Sequence, residues 1–103
     1  MLAPSFPPVS VMVKALDPQT IEVQWRPPPP HAINGILQGY KVRYEEEETH
    51  ESFWKIVMSP AISTRLSLLK TFTMYKISVM AFTDAGNGVA SEPLLKRTLE
   101  DSE

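Results

Sequence analysis

The chain has 103 residues, 43% of them hydrophobic and 21% charged, which suits one domain with one core and excludes a disordered polymer. Ten basic against twelve acidic side chains leave a formal net charge of −2. That balance supplies no electrostatic basis for nucleic acid or an anionic membrane as the main partner. Cysteine is absent, so disulfide scaffolds, thiolate zinc sites and cysteine nucleophiles are excluded, while the compartment stays open.

The uncharged opening Met1–Val13 is proline-broken, too short to span a bilayer, and lacks the basic start of a secretory signal. Met1-Leu2-Ala3 reads as the start of a piece cut from a longer chain, and residues 1–7 as a leading linker. Val9, Val11, Val13 and Ala15 alternate with Ser10, Met12 and Lys14, which predicts a first strand with one buried face. Asp17-Pro18-Gln19 is a turn. Thr20–Arg26 follows as a second strand, with Ile21, Val23 and Trp25 on the inner side. Pro27–Pro30 must end it, because proline cannot donate to a ladder, and four in a row favour a stiff extended segment.

Asn34-Gly35 supplies a turn. Gly39–Tyr44 is the clearest alternation, with Tyr40, Val42 and Tyr44 inward and Lys41 and Arg43 outward. The polar run Glu45–Ser52 predicts a solvated loop, then a short strand over Phe53–Val57. Thr64, Leu66 and Leu68 predict another alternating strand.

Leu69-Lys70-Thr71-Phe72-Thr73-Met74-Tyr75 reads as a corner entering a strand that continues through Ile77, Val79 and Ala81. A tyrosine there can bury its ring while its hydroxyl bonds an upstream backbone group. Asp84–Gly88 is a turn cluster, and a last strand broken near Pro93 runs to about Thr98. Seven short strands with turns between them, and no helical period, predict an all-β, antiparallel Greek-key sandwich of the immunoglobulin-like type. Its expected core comprises Val11, Val23, Trp25, Tyr40, Val42, Tyr44, Leu66, Leu69, Tyr75, Ile77 and Val79.

Catalytic patterns are missing. His31 and His50 fall in predicted loops without paired carboxylates at a ligand spacing, and no glycine-rich phosphate loop opens a helix. Glu45–Glu48 on extended chain would point to alternate sides rather than converge on a cation. Arg26-Pro27-Pro28-Pro29-Pro30 has the composition of a ligand for proline-binding domains, but a strand end with a rigid connector explains it better. No cofactor is implied.

Taken together, Pro8, Trp25 with Pro27-Pro28, Asn34-Gly35, Gly39-Tyr40 with Val42 and Tyr44, Trp54, Leu69 with Thr73 and Tyr75, Ala81, Gly86, Gly88 and Ser91-Glu92-Pro93 resemble the fibronectin type III domain. Each signal is weak alone; their order and spacing over residues 8–98 is specific. Thr71 departs from the resemblance, since the family often has proline there. The resemblance implies a sheet of the first, second and fifth strands facing a sheet of the other four, with chain ends at opposite poles, suited to tandem arrays. The wording from Pro27 to Tyr40 is most similar to domains of neural adhesion and axon-guidance receptors or receptor-type tyrosine phosphatases. Residues 99–103 look like a linker into a following domain.

The function so implied is a non-catalytic interaction and spacer module in the extracellular part of a plasma-membrane receptor. Its partners would be other proteins and adjacent domains in tandem, with membrane contact only through a separate anchor. The same fold in an intracellular muscle scaffold is the rival reading, and a matrix module with weak heparin binding is another. The expected binding surfaces are the loop pole bearing Ile33, Asn34, Asp84 and Asn87, and an outward basic strip of Lys41, Arg43 and Lys76. The Arg-Gly-Asp tripeptide that some relatives carry after the tyrosine strand is absent.

Overall fold

The computed structural model describes residues 3–100. β1 (Val9–Asp17) and β2 (Thr20–Arg26) form a hairpin across Asp17-Pro18-Gln19, where the Asp17 carboxylate accepts the Gln19 N–H at 2.8 Å. β5 (Ser63–Leu66) adds to the far side of β2, giving a sheet in the order β1-β2-β5. The second sheet has the order β4-β3-β6-β7, built from β3 (Gly39–Glu46), β4 (Ser52–Met58), β6 (Met74–Thr83) and the two-residue β7 (Gly86–Asn87). β8 (Leu94–Arg97) also pairs with β6, at the end opposite β7. All pairings are antiparallel. The division into two sheets is the expected one. The additional short strand β7 lies inside the turn cluster 84–88, where only a turn was predicted.

The period-two residues of β2, Ile21, Val23 and Trp25, meet Tyr40 and Val42 of β3 and Tyr75, Ile77, Val79 and Ala81 of β6 between the sheets. Leu66 and Leu69 close one side, and every residue of this cluster is at most 5% exposed. Val11, Val13, Leu37, Tyr44 and Val57 pack on its rim and are half-buried. Val11 and Tyr44 thus line the core's border rather than its centre: Val11 lies on the edge strand β1, and the Tyr44 ring sits by Phe53 and Tyr75, with centroids 5.4 and 6.5 Å away. The Trp25 and Tyr40 rings lie 5.1 Å apart at 59°. The Trp25 Nε1 and Tyr40 hydroxyl are buried there without a well-formed hydrogen bond, and burial pushes the Tyr40 phenol pKa up.

Four sequence expectations are corrected. Val9 does not share the buried face of β1: a bulge between Val9 and Met12, with Ser10 at φ 55°, turns it outward. Leu68 does not continue the face of Leu66. β5 stops at Leu66, and Leu68 at φ 57° is 91% exposed while Leu69 takes the buried place.

The predicted loop 45–52 is shorter than expected, since β3 runs through Glu46 and β4 begins at Ser52. Glu46 is only 6% exposed, because its carboxylate is held 2.9 Å from the Lys70 ammonium. The proline run is extended only to Pro29. Pro30 then opens a 3-10 turn, Pro30–Ala32, that buries Ala32.

The corner is tied through one residue. The Lys70 N–H donates to the Tyr75 hydroxyl at 2.9 Å, and the Lys70 carbonyl accepts from the Thr98 hydroxyl at 2.7 Å. Thr98 Oγ1 also accepts the Thr73 N–H at 2.9 Å, and Thr98 is 1% exposed. The end of β8 is thereby fastened to the start of β6. At the other pole, Ser5 N–H donates to the Ala32 carbonyl at 2.8 Å, and the Asn34 amide donates to the Ala3 carbonyl at 3.1 Å. A Cβ on Gly88 would lie 2.7 Å from Pro4, so this approach needs glycine. The two chain ends are therefore fixed at opposite ends of β6.

Candidate interaction surfaces

Two surfaces collect the residues singled out by the sequence. The first is the pole formed by residues 27–38 and 84–88. Ile33 and Asn34 are half-buried there, and the Asn34 side chain is already committed to Ala3. Phe6 and His31 meet edge to face, with ring centroids 6.4 Å apart at 70°. Leu37 packs inward against the core, whereas Ile36 is 71% exposed. Asp84 is exposed at the tip. Ile33, Asn34 and Asp84 share this end of the sandwich.

The second surface is the outer face of the larger sheet. Alternation places Lys41, Arg43 and Glu45 of β3 outward, and the register sets Lys41 beside Met80, Arg43 beside Ser78 and Glu45 beside Lys76. On the other flank, Lys41 lies beside Ile56, Arg43 beside Trp54, and Gly39 beside Met58. Asn87, paired with Phe82, joins this face rather than the loop tip. Lys41, Trp54, Ile56 and Asn87 line one shallow depression. A Cβ on Gly39 would collide with the Val57 carbonyl oxygen, so the close approach of β3 to β4 depends on that glycine.

The basic strip is partly neutralised within the fold. The Arg43 guanidinium bonds the Glu45 carboxylate at 2.8 Å, and the same carboxylate lies 3.1 Å from His50 Nδ1. The His50 contact first, then Arg43 and Lys76, hold the Glu45 carboxyl below its ordinary range. Lys41 sits over the Phe82 ring, 5.1 Å from its centroid. Arg43 and Lys76 thus flank one carboxylate, and the face reads as mixed charge rather than a polyanion track. Glu45 and Glu46 diverge, one to each face of β3. Among the described residues no group of three or more histidines, cysteines or carboxylates could hold a metal ion.

Sequence reasoning passed over a row of exposed apolar residues on this face. Trp54, Ile56 and Met58 are 50%, 58% and 57% exposed. The signal was present in Phe53-Trp54-Lys55-Ile56-Val57-Met58, which is apolar at both parities and so must leave one apolar side outside any two-layer sandwich.

Two packed antiparallel sheets, a buried indole between them and a tyrosine hydroxyl locking the corner define an immunoglobulin-like β-sandwich. The chain belongs to the fibronectin type III domain family, which it matches over residues 6–97. It is 40% identical over 102 residues to protein sidekick-1 of Gallus gallus, covering 95% of this chain and 5% of that protein. It is 40% identical over 100 residues to the cell adhesion molecule DSCAM of Rattus norvegicus, with the same coverage of each. The solution structure of an fn3 domain of human contactin 1 superposes with a TM-score of 0.85 at 31% identity, covering 100% of this chain and 85% of that one. The chain spans about one-twentieth of the length of its curated relatives.

Proposed function

We propose that this domain is a non-catalytic interaction and spacer module in the extracellular part of a plasma-membrane adhesion receptor. The observation that carries this reading is the 40% identity to the cell adhesion molecule DSCAM over 95% of the chain. Two structural features support it. Both ends of the domain are hydrogen-bonded to the body, Ala3 through Asn34 and Thr98 through Lys70, so pulling on the chain loads the long axis of β6. A ten-residue strand spans roughly 30 Å, which sets the spacing that one such unit adds. Candidate binding groups on the outer face, Lys41, Arg43, Lys76 and Asn87, lie on a surface that neither end occupies, whereas the loops around Ile33 share their pole with the N-terminal segment.

The test is a cell-aggregation assay with the parent receptor displayed on cells otherwise lacking it. Deleting residues 3–100 is expected to weaken aggregation, and inserting an unrelated fibronectin type III domain to restore it only in part. Full aggregation after deletion would refute both roles. Full rescue by the unrelated domain would refute the interaction role and leave the spacer.

A further inference from the structure

We infer that the free edge of β4 is a self-pairing site, at which two copies of this domain join antiparallel about a two-fold axis through Ile56. This goes beyond the adhesion reading and does not rest on it. β4 is the outer strand of its sheet, so one row of its N–H and C=O groups has no ladder partner. Which row is free follows from the bracketing bonds: Glu46 N–H donates to Glu51 O at 2.8 Å, and Ser59 N–H donates to Gln38 O at 3.0 Å. Hydrogen-bonded pairs recur every second residue, so Phe53, Lys55 and Val57 direct their backbone groups at β3. Ser52, Trp54, Ile56 and Met58 direct theirs outward.

Trp54, Ile56 and Met58 are also the residues whose apolar side chains remain half or more exposed on the outer face. Backbone donors, backbone acceptors and uncovered apolar surface therefore coincide on three alternate residues. Of the smaller sheet's two edges, β1 is interrupted by its bulge and β5 is only four residues long; β4 pairs in unbroken register from Ser52 to Met58.

The occupant is selected by register. Strands paired about a two-fold axis must place side chains of matching faces opposite each other, which restricts the axis to a residue. An axis at Lys55 sets two ammonium groups across a close pair, a destabilising arrangement. An axis at Val57 opposes Trp54 to Pro60, which has no N–H. An axis at Trp54 leaves Met58 facing His50 in the turn. The axis at Ile56 sets Ile56 on its own copy and Trp54 on Met58 in both directions, three apolar pairs with two backbone bonds each. It also places Lys55 opposite Val57, and the Lys55 ammonium is already bound to the Arg65 carbonyl at 2.7 Å. With a net charge of only −2 per chain, long-range repulsion between copies is small.

The contact is smaller than a standard interface of about 1,600 Å², so the pairing is weak and reversible. It is tested with this chain itself, which has no cysteine, so an introduced thiol is unique. Sedimentation equilibrium at about 1 mM is expected to detect dimer, and Ile56→Lys to abolish it while the amide spectrum stays folded. Under mild oxidation, Ile56→Cys is expected to form a disulfide dimer about tenfold faster than Glu48→Cys in the exposed turn, since paired residues sit within bridging distance. Trp54→Cys should crosslink slowly alone and fast when mixed with Met58→Cys. A wild-type chain that stays monomeric at about 1 mM would leave the edge to another protein's strand and overturn the proposal. Equal crosslinking rates at residues 48, 54 and 56 would do the same.

Discussion

The two tryptophans of this chain sit in opposite circumstances. Trp25 is 2% exposed between the sheets, whereas Trp54 is 50% exposed on the outer face of an edge strand. Both belong to strands and both have apolar neighbours at period two: Ile21 and Val23 in one case, Ile56 and Met58 in the other. The apolar row that each tryptophan belongs to does not distinguish them; only the opposite row does, polar in β2 and carrying Phe53 and Val57 in β4. What differs is whether a second layer covers that face, and in a two-layer sandwich each sheet has only one covered side.

The contrast predicts unequal costs of truncation. Trp25→Ala should lose about 3–5 kcal/mol, because the surrounding β-ladders cannot collapse into the cavity. Trp54→Ala should change monomer stability by no more than about 0.5 kcal/mol. Urea denaturation of both variants at low concentration checks this, and comparable losses would break the distinction between the faces.

Between those extremes lies Tyr75→Phe, which keeps the buried ring and removes only the acceptor for the Lys70 N–H. It should lose about 1–3 kcal/mol, measured as a shift in the denaturation midpoint with unchanged slope. A neutral result would mean that Thr98, gripping the Lys70 carbonyl, holds the corner without the phenol.

The smallest expected effect belongs to the surface ion pairs of Glu45 and Glu46. The folded state lowers the Glu45 pKa from its ordinary 4.5, so its contribution is present above that value and lost as pH falls through the folded pKa. Glu46 beside Lys70 raises the lysine from 10.5, so that contribution is present below 10.5 and lost as pH rises through the folded pKa. Glu45→Gln should flatten part of the acid limb of a stability–pH curve and leave the alkaline limb in place. Both pairs lie on the surface and are screened, so salt should shrink both limbs.

Much of the fold was legible because burial imposes period two on a strand. The alternations at 20–26 and 39–44 have a single apolar parity, 75–81 breaks it only at Met80, and all three face the core as read. Failures occurred where backbone conformation or distant partners intervene. Ser10 and Leu68 adopt left-handed φ angles that reset the parity of Val9 and Leu69, and side-chain patterns carry no signal for that at non-glycine residues. Thr98 reaches Lys70 across 28 residues of sequence, and Asn34 reaches Ala3 across 31. Of the candidate surface residues, Asn87 was read as part of a loop tip, and strand pairing with Phe82 carries it instead to Lys41.

The amino-acid sequence by itself determined that this chain makes two-sided strands, closes a tyrosine corner and belongs to a β-sandwich class, because these follow from local alternation and turn chemistry. Only the tertiary structure decided which apolar faces stay outside, since that depends on sheet order and on β4 lying at an edge. The same placement turned the Glu45–Glu48 run into two surface ion pairs on opposite faces of β3, Glu46 with Lys70 and Glu45 with Arg43. Burial is a property of layers, and layers are assembled from residues far apart in the chain.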